Sequence, residues 1–403
     1  MNNSEPGTTE RPGGDLNAWC DYPRVDVPHA ETGPLAGKTL AVKDIYQVAG
    51  YKNGWGSPSR LAEAGFDQDT APSVQSLLDA GANCIGKSQC DELCFSLNGM
   101  NAHYGSPINP ADRNRITGGS SSGSVSLVAS KSVDIATGSD TGGSVRAPAA
   151  YCGLVGLRTT HGRITLDKTM PLAHSYDVYG WFAHDLRTYE AVSDVMLGSD
   201  PEATPLSKAV SISILVQQLL GDHVEQEYSA IRSRVLSHFG GYNERDGFIR
   251  PIDDWYWCFR ETQSFEAWGN LGEWIERSGA ALGPGVKDRF ELGKSISKER
   301  YAEQSQARTA MRSEIESLLS DDTVLVLPTV PGPAPLLRQS FDSLQEFREQ
   351  ALRLLCVSGI SGLPQITIPL GSVDGAPFGI SLIGPRHSDR RLVSLALQIL
   401  ADR

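Results

Sequence analysis

An α/β fold is the class predicted by this 403-residue sequence, on three observations. Strand-like apolar runs alternate with amphipathic helical segments along the whole length, the pattern of helices packed on a sheet. Apolar residues make up 40 % and charged residues 21 %, a mixture able to bury a large core and too apolar for a disordered chain. Part of the glycine content is concentrated in one Gly–Ser stretch that returns at once to apolar sequence, so it is not a flexible linker.

In chain order, residues 1–35 read as an extended or loosely docked arm. Residues 39–42 form a short buried strand. The helix predicted over 71–80 puts Val74, Leu77 and Leu78 on one stripe and ends at Gly81. Strands follow at 82–85 and 133–137. Residues 200–320 are more helical and more charged, with amphipathic stretches at 228–239 and 299–319, and read as a helical cap or an insertion. Buried strands are expected at 324–327 and 365–369. A helix over 388–401 closes the chain, with Ser388 as N-cap and Leu392, Leu395 and Ile399 facing the core.

Charge and cysteine usage exclude several functions. Asp and Glu number 48 against 36 Lys and Arg, a net charge of −12, which repels phosphate backbones and disfavours a nucleic-acid partner. No apolar run approaches the ~18 residues that span a bilayer. Residues 1–15 are polar and lack the basic and apolar regions of a signal peptide, so the expected compartment is the cytoplasm, with no membrane partner. The seven cysteines are odd in number and scattered, which argues against a disulfide framework and for buried free thiols. Cys90 and Cys94 would share a face if helical, yet no second Cys or His pair stands at zinc spacing, so no metal is expected.

Gly81 to Ser88 matches the phosphate-loop pattern letter for letter. Such a loop must leave a strand and open a helix, so that free amides face the phosphates. Here a helix comes first and Asn83-Cys84-Ile85 reads as a strand. A helix–turn–strand connection is therefore predicted, with Lys87 leaving the strand.

The chemistry concentrates in two blocks. Gly118-Gly119-Ser120-Ser121-Ser122-Gly123-Ser124 is followed, 24 residues after Ser120, by Ser144 within Asp140-Thr141-Gly142-Gly143-Ser144-Val145-Arg146. Adjacent glycines can aim successive N–H groups at one point, as an oxyanion hole requires. A serine nucleophile needs a base. His103, His161 and His174 are candidates, but none stands in a recognisable triad context, and no Gly-x-Ser-x-Gly elbow surrounds Ser144. Lys43 is another: it follows the apolar run Leu40-Ala41-Val42, which would carry its amine inside the fold, although a strand-end lysine equally fits a surface salt bridge.

From Lys43 to Arg163 the chain resembles the amidase signature family, serine hydrolases with a Ser–cis-Ser–Lys triad. Ala41-Val42-Lys43-Asp44-Ile45, the glycine–serine block, the Asp140–Arg146 block and the 24-residue serine spacing carry the resemblance. Asn101 to Pro110, Cys152 to Thr159, Leu327-Pro328-Thr329 and the segment from Gly362 to Pro385 extend it, leaving roughly 185–320 weakly covered. Within the family, residues 98–105 and the triple serine look most like plant-type indole-3-acetamide hydrolases. The resemblance implies a central mixed twisted β-sheet covered by helices on both faces. It implies one domain over 1–403, with a catalytic core at 36–165 and a variable, substrate-side region at 200–320. It further implies Ser144 as nucleophile, Ser120 as a bridging serine held by a cis peptide bond after Gly119, and neutral Lys43 as base. The amides of Thr141, Gly142, Gly143 and Ser144 would form the oxyanion hole, and no cofactor or metal would be needed. One departure is Ser122, where the commoner family block has glycine. Asp140 and Arg146, flanking the nucleophile, are expected to form an ion pair that fixes the loop.

For substrate, Cys94, Phe95 and Ser96 occupy the family's acyl-side position and suggest an apolar acyl group. Trp255, Tyr256, Trp257, Phe259, Trp268 and Trp274 read either as an aromatic wall, with Trp255 and Trp257 touching substrate, or as a helix face packed on the core. The expected activity is hydrolysis of a small amide, an aryl or indolyl acetamide being the candidate, with a homodimer compatible. Other readings are the glutaminase subunit of a tRNA-dependent amidotransferase, an allophanate- or biuret-type hydrolase, and a non-catalytic amidase-fold binding protein.

Overall fold

A computed structural model of the chain describes residues 11–202 and 204–402, so the first ten residues of the expected arm lie outside the described residues. Ten strands are formed among the described residues: β1 (Thr39–Lys43), β2 (Asn83–Ser88), β3 (Ile135–Asp140), β4 (Gly156–Arg158), β5 (Val178–Ala183), β6 (Lys208–Ile212), β7 (Gly241–Arg245), β8 (Thr323–Pro328), β9 (Gln365–Val373) and β10 (Ala376–Ile383). They build two mixed sheets, ordered β2-β1-β3-β5 and β4-β9-β10-β8-β6-β7. The first is parallel except for β5, which runs antiparallel to β3. The sheets adjoin at β5 and β4, where the Thr159 hydroxyl donates to the Tyr179 carbonyl at 3.1 Å. The expected α/β architecture of mixed β-sheet and helices is present, its strands shared between these two sheets.

Alternation along the strands buries both faces. Leu40 and Val42 of β1 enter one core and Ala41 another; in β8, Val324 and Val326 face one core and Leu325 and Leu327 a second. β1 lies between parallel neighbours, so the carboxyl ends of β1 and β3 sit side by side. Lys43 ends the first and Asp140 the second. In parallel sheets this edge is where sites are built.

Several expectations are refined. The described part of the arm, residues 11–35, is docked: the Cys20 amide donates to the Lys87 carbonyl at 2.9 Å and the Gln89 amide to the Ala18 carbonyl at 2.8 Å. Gly81–Ser88 is indeed a turn into a strand, but Lys87 lies within β2. It is fully buried, donates to the Tyr46 carbonyl and Asn53 Oδ1, and pairs with Asp44 at 3.7 Å. Region 200–320 holds long helices, Ile252–Ser278 and Lys298–Leu318, yet β6 and β7 also extend the second sheet from it. The last helix is Asp389–Ala401, with Leu392, Leu395 and Ile399 buried. Ser388 holds the N-cap position, but its hydroxyl donates to the Pro385 carbonyl at 2.7 Å instead of capping an amide. The cysteines are free, and Cys90 and Cys94 share no helix face: Cys94 closes a short 3-10 turn, Glu92–Cys94, at φ 56°.

Candidate active site

Lys43 is fully buried at the end of β1. Its backbone amide is fixed by the Thr137 hydroxyl of β3 at 2.8 Å. Its Nζ donates to Ser120 Oγ at 2.9 Å, Ser139 Oγ at 2.9 Å and Ser121 Oγ at 3.1 Å. Hydroxyls, not carboxylates, therefore surround the amine, and each can reverse its role between donor and acceptor. Neither Ser121 nor Ser139 was singled out in the sequence, although Ser139 sits in β3 directly before Asp140.

The Gly119–Ser120 peptide bond is cis. A Cβ on Gly119 would stand 2.2 Å from Asp91 Oδ2, so only glycine fits there. Asp91 is buried, and its carboxyl lies above the usual range because burial outweighs the Gly99 amide and the Ser96 and Ser122 hydroxyls that face it. Ser122, the departure from the commoner block, is fully buried, and its hydroxyl has no hydrogen-bond partner among the described residues.

Asp140 organises the following loop. Its Oδ1 accepts the Gly143 amide at 2.9 Å, and its Oδ2 accepts the Val145 amide at 3.2 Å. Arg146 and Arg158 pair with Oδ1 at 2.8 and 2.9 Å, all three side chains being fully buried. Burial alone would raise the Asp140 carboxyl; the two guanidiniums outweigh it and hold it well below the carboxylate range. The expected Asp140–Arg146 pair is present, with Arg158 as a second partner. The Gly143 N–H is taken by Asp140, whereas no hydrogen bond among the described residues uses the amides of Thr141, Gly142 or Ser144.

Ser144 is nearly buried, and no hydrogen bond among the described residues joins its hydroxyl to Ser120. Of the relay expected from the sequence, the Lys43–Ser120 contact is made and the Ser120–Ser144 contact is not. Catalytic hydrogen bonds are commonly loose without substrate. His103 pairs with Glu92 at 2.7 Å, and His174 with Glu266 at 3.3 Å, while His161 meets the His174 carbonyl at 2.9 Å. None of these bonds serves Ser144.

A cavity of about 290 Å³ opens beside the loop, lined by Cys94, Ser139, Thr141 and Asp177 and by the apolar Ile45, Leu166, Met170 and Leu172. Asp177 carries no motif signal. It accepts from the Thr141 hydroxyl at 2.6 Å and from the Leu172 and Ala173 amides at 2.9 and 3.0 Å, and burial pushes its carboxyl up to about 6. Burial would raise the Cys94 thiol, but Cys90, Lys43 and Ser120 together bring it below its ordinary value. Among the described residues no cluster of three or more His, Cys, Asp or Glu could hold a metal.

The substrate-side residues divide. Cys94 lines the cavity. The Phe95 ring packs edge-on against Phe290, with centroids 5.0 Å apart, and Ser96 Oγ accepts the Asn98 amide at 3.3 Å. Trp255 is fully buried, its ring 4.6 Å from that of Phe248, whereas Trp257 is 47 % exposed on a surface groove with Arg250 and Arg300. Neither tryptophan lines the cavity. The aromatic residue of that segment that reaches the loop is Phe259: a Cβ on Gly142 would meet its ring at 2.8 Å.

A family model described as Amidase matches residues 21–225 and 261–393. Amidase 1 of Arabidopsis thaliana is 35 % identical over 96 % of this chain and 98 % of its own length. Chloroplastic outer envelope protein 64 of the same plant is 32 % identical over 94 % of this chain and 69 % of its own length. A crystal structure of an amidase superposes with a TM-score of 0.81 at 25 % identity, covering 92 % of this chain and 85 % of that one. With this much of its length matched, the chain belongs to the amidase family.

Proposed function

We propose that the protein hydrolyses a small carboxylic amide through a serine acyl-enzyme. The observation that carries this reading is the 2.9 Å contact between Lys43 Nζ and Ser120 Oγ, made between the ends of β1 and the glycine–serine block beside an open cavity. Ser144 attacks the amide carbonyl. Its proton passes to Ser120 as Ser120 yields its own to Lys43, which accepts it in the uncharged form. The N–H groups of Thr141, Gly142 and Ser144 stabilise the oxyanion, an effect worth roughly 2.7–4 kcal/mol per donor. On collapse the relay runs backward: Ser120 protonates the leaving nitrogen, releasing ammonia or an amine. Water then attacks the ester along the same path and frees the acid.

The substrate side is the cavity, with Cys94 on its wall. Its apolar lining supports an aryl or indolyl acetamide, the substrate class that the motif resemblance at residues 98–105 also implies. In this reading residues 1–403 act as one domain, 36–165 as its catalytic core and 200–320 as the substrate-side region. The protein works in the cytoplasm, alone or as a homodimer. No helix among the described residues is long and apolar enough to cross a membrane.

A panel of amides tests the proposal. Phenylacetamide and indole-3-acetamide should be cleaved by the isolated protein faster than acetamide or glutamine. Preference for glutamine would favour an amidotransferase subunit, and preference for allophanate or biuret a hydrolase of that type. No turnover of any amide would leave a binding protein.

A further inference from the structure

In the antiparallel ladder between β3 and β5, Asp140 is the register partner of Val178. The residue after one and the residue before the other, Thr141 and Asp177, therefore leave the sheet facing each other. They meet: the Thr141 hydroxyl donates to Asp177 Oδ1 at 2.6 Å. The other oxygen, Oδ2, accepts the Leu172 and Ala173 amides at 2.9 and 3.0 Å. One carboxylate thereby joins the first residue of the nucleophile loop to the segment that carries Met170 and Leu172 on the cavity wall.

The carbonyl of Thr141 is engaged as well. Arg158 Nη1 donates to it at 3.3 Å and to the Asp140 carbonyl at 2.6 Å, while Nη2 donates to the Tyr176 carbonyl at 2.7 Å, one residue before Asp177. Hydroxyl and carbonyl are both held, and the N–H is the one polar group of Thr141 with no partner among the described residues. A residue fixed in this way presents its amide in one direction. An oxyanion donor requires that, because a misplacement of about 1 Å can cost about 10²-fold in rate. Asp177 is 9 % exposed and lines the cavity; among the described residues no cation pairs with it within 4 Å, and Glu266 adds a like charge nearby. A buried carboxylate without a counter-charge is a costly way to tie down a loop that serves stability alone.

We propose that Asp177 is a positioning residue for the oxyanion hole: through the Thr141 hydroxyl it aims the Thr141 N–H at the oxygen that gains charge. It touches no reacting atom and acts on the transition state through its neighbour. The role deepens the amide-hydrolase reading and rests on it.

The test is a double-mutant cycle on phenylacetamide turnover with Thr141→Val, Asp177→Ala and the two combined. Valine keeps the shape of threonine and removes only the hydroxyl, so Thr141→Val should lower kcat by about tenfold or more while KM stays within about threefold. Asp177→Ala should do the same, and the double variant should fall no further than the worse single one, because both remove one contact. Two conservative variants should lose far less: Thr141→Ser, which keeps the hydroxyl, and Asp177→Asn, whose side chain can still bond it. If Asp177→Ala does not fold, Thr141→Val and Thr141→Ser decide. A Thr141→Val protein with native kcat, or losses that simply multiply in the double variant, overturns the role of Asp177 and leaves the hydrolase reading standing. A native protein that cleaves no amide overturns that reading, and this role with it.

Discussion

Asp140 accepts the Gly143 amide at 2.9 Å, so the carboxylate that anchors two buried arginines also sets the path of the backbone into Ser144. One buried charge thereby ties the end of β3, the nucleophile loop and β4 together. The loop's shape is a property of this ion-pair group as much as of its glycines.

Replacing Asp140 by Asn should therefore weaken folding and catalysis together. Leaving Arg146 and Arg158 without their partner costs roughly 3–5 kcal/mol, to be read from urea unfolding at pH 7. The carboxyl is held below its unfolded value, so its contribution is complete above pH about 4 and is lost as pH falls through the depressed folded value. A variant as stable as the parent would refute this role.

Lys43→Ala should abolish turnover while the circular dichroism spectrum is retained. Loss of a general base costs about 10²–10⁴-fold. Lys43→Met, which refills most of the volume, should be equally inactive, and recovery of activity in the Met variant would assign Lys43 to packing instead.

Cys94 lines the cavity and its thiol lies below the ordinary value. Iodoacetamide should alkylate it ahead of the other buried cysteines, with loss of activity in proportion to labelling. A product acid should protect, and Cys94→Ala should resist. Peptide mapping decides: inactivation tracking another cysteine would contradict the placement.

The carboxyl of Asp177, raised to about 6 by burial, binds its proton more tightly in the fold than in the unfolded chain, where the value is 3.8. Its stabilising contribution is then complete at pH below about 4 and declines as pH rises through about 6, by roughly 2–3 kcal/mol. The stability difference between the native protein and Asp177→Asn, followed from pH 4 to 8, should shrink across that window. A flat difference would show that Asp177 does not titrate there.

Much of this was legible in the sequence because it depends on local pattern. The run Leu40-Ala41-Val42 before Lys43 marks a buried strand, and the two glycine–serine blocks mark backbone that only glycine can follow, as Asp91 against Gly119 bears out. The illegible parts depend on tertiary packing. Ser139 and Ser121 matter because β3 and the start of helix Ser122–Ala129 converge on one amine, which no spacing reveals. Helical spacing made Trp255 and Trp257 equivalent aromatic candidates; their neighbours put one in the core and the other on the surface.

The central claim is that Ser144 is the nucleophile activated through Ser120 by Lys43. Its most direct test is intact-mass analysis after treatment with a fluorophosphonate, with the labelled peptide sequenced. One adduct per chain on Ser144, absent from Ser144→Ala and formed far more slowly in Lys43→Ala, is the result this account predicts. An unmodified protein, or an adduct on any other residue, would contradict it.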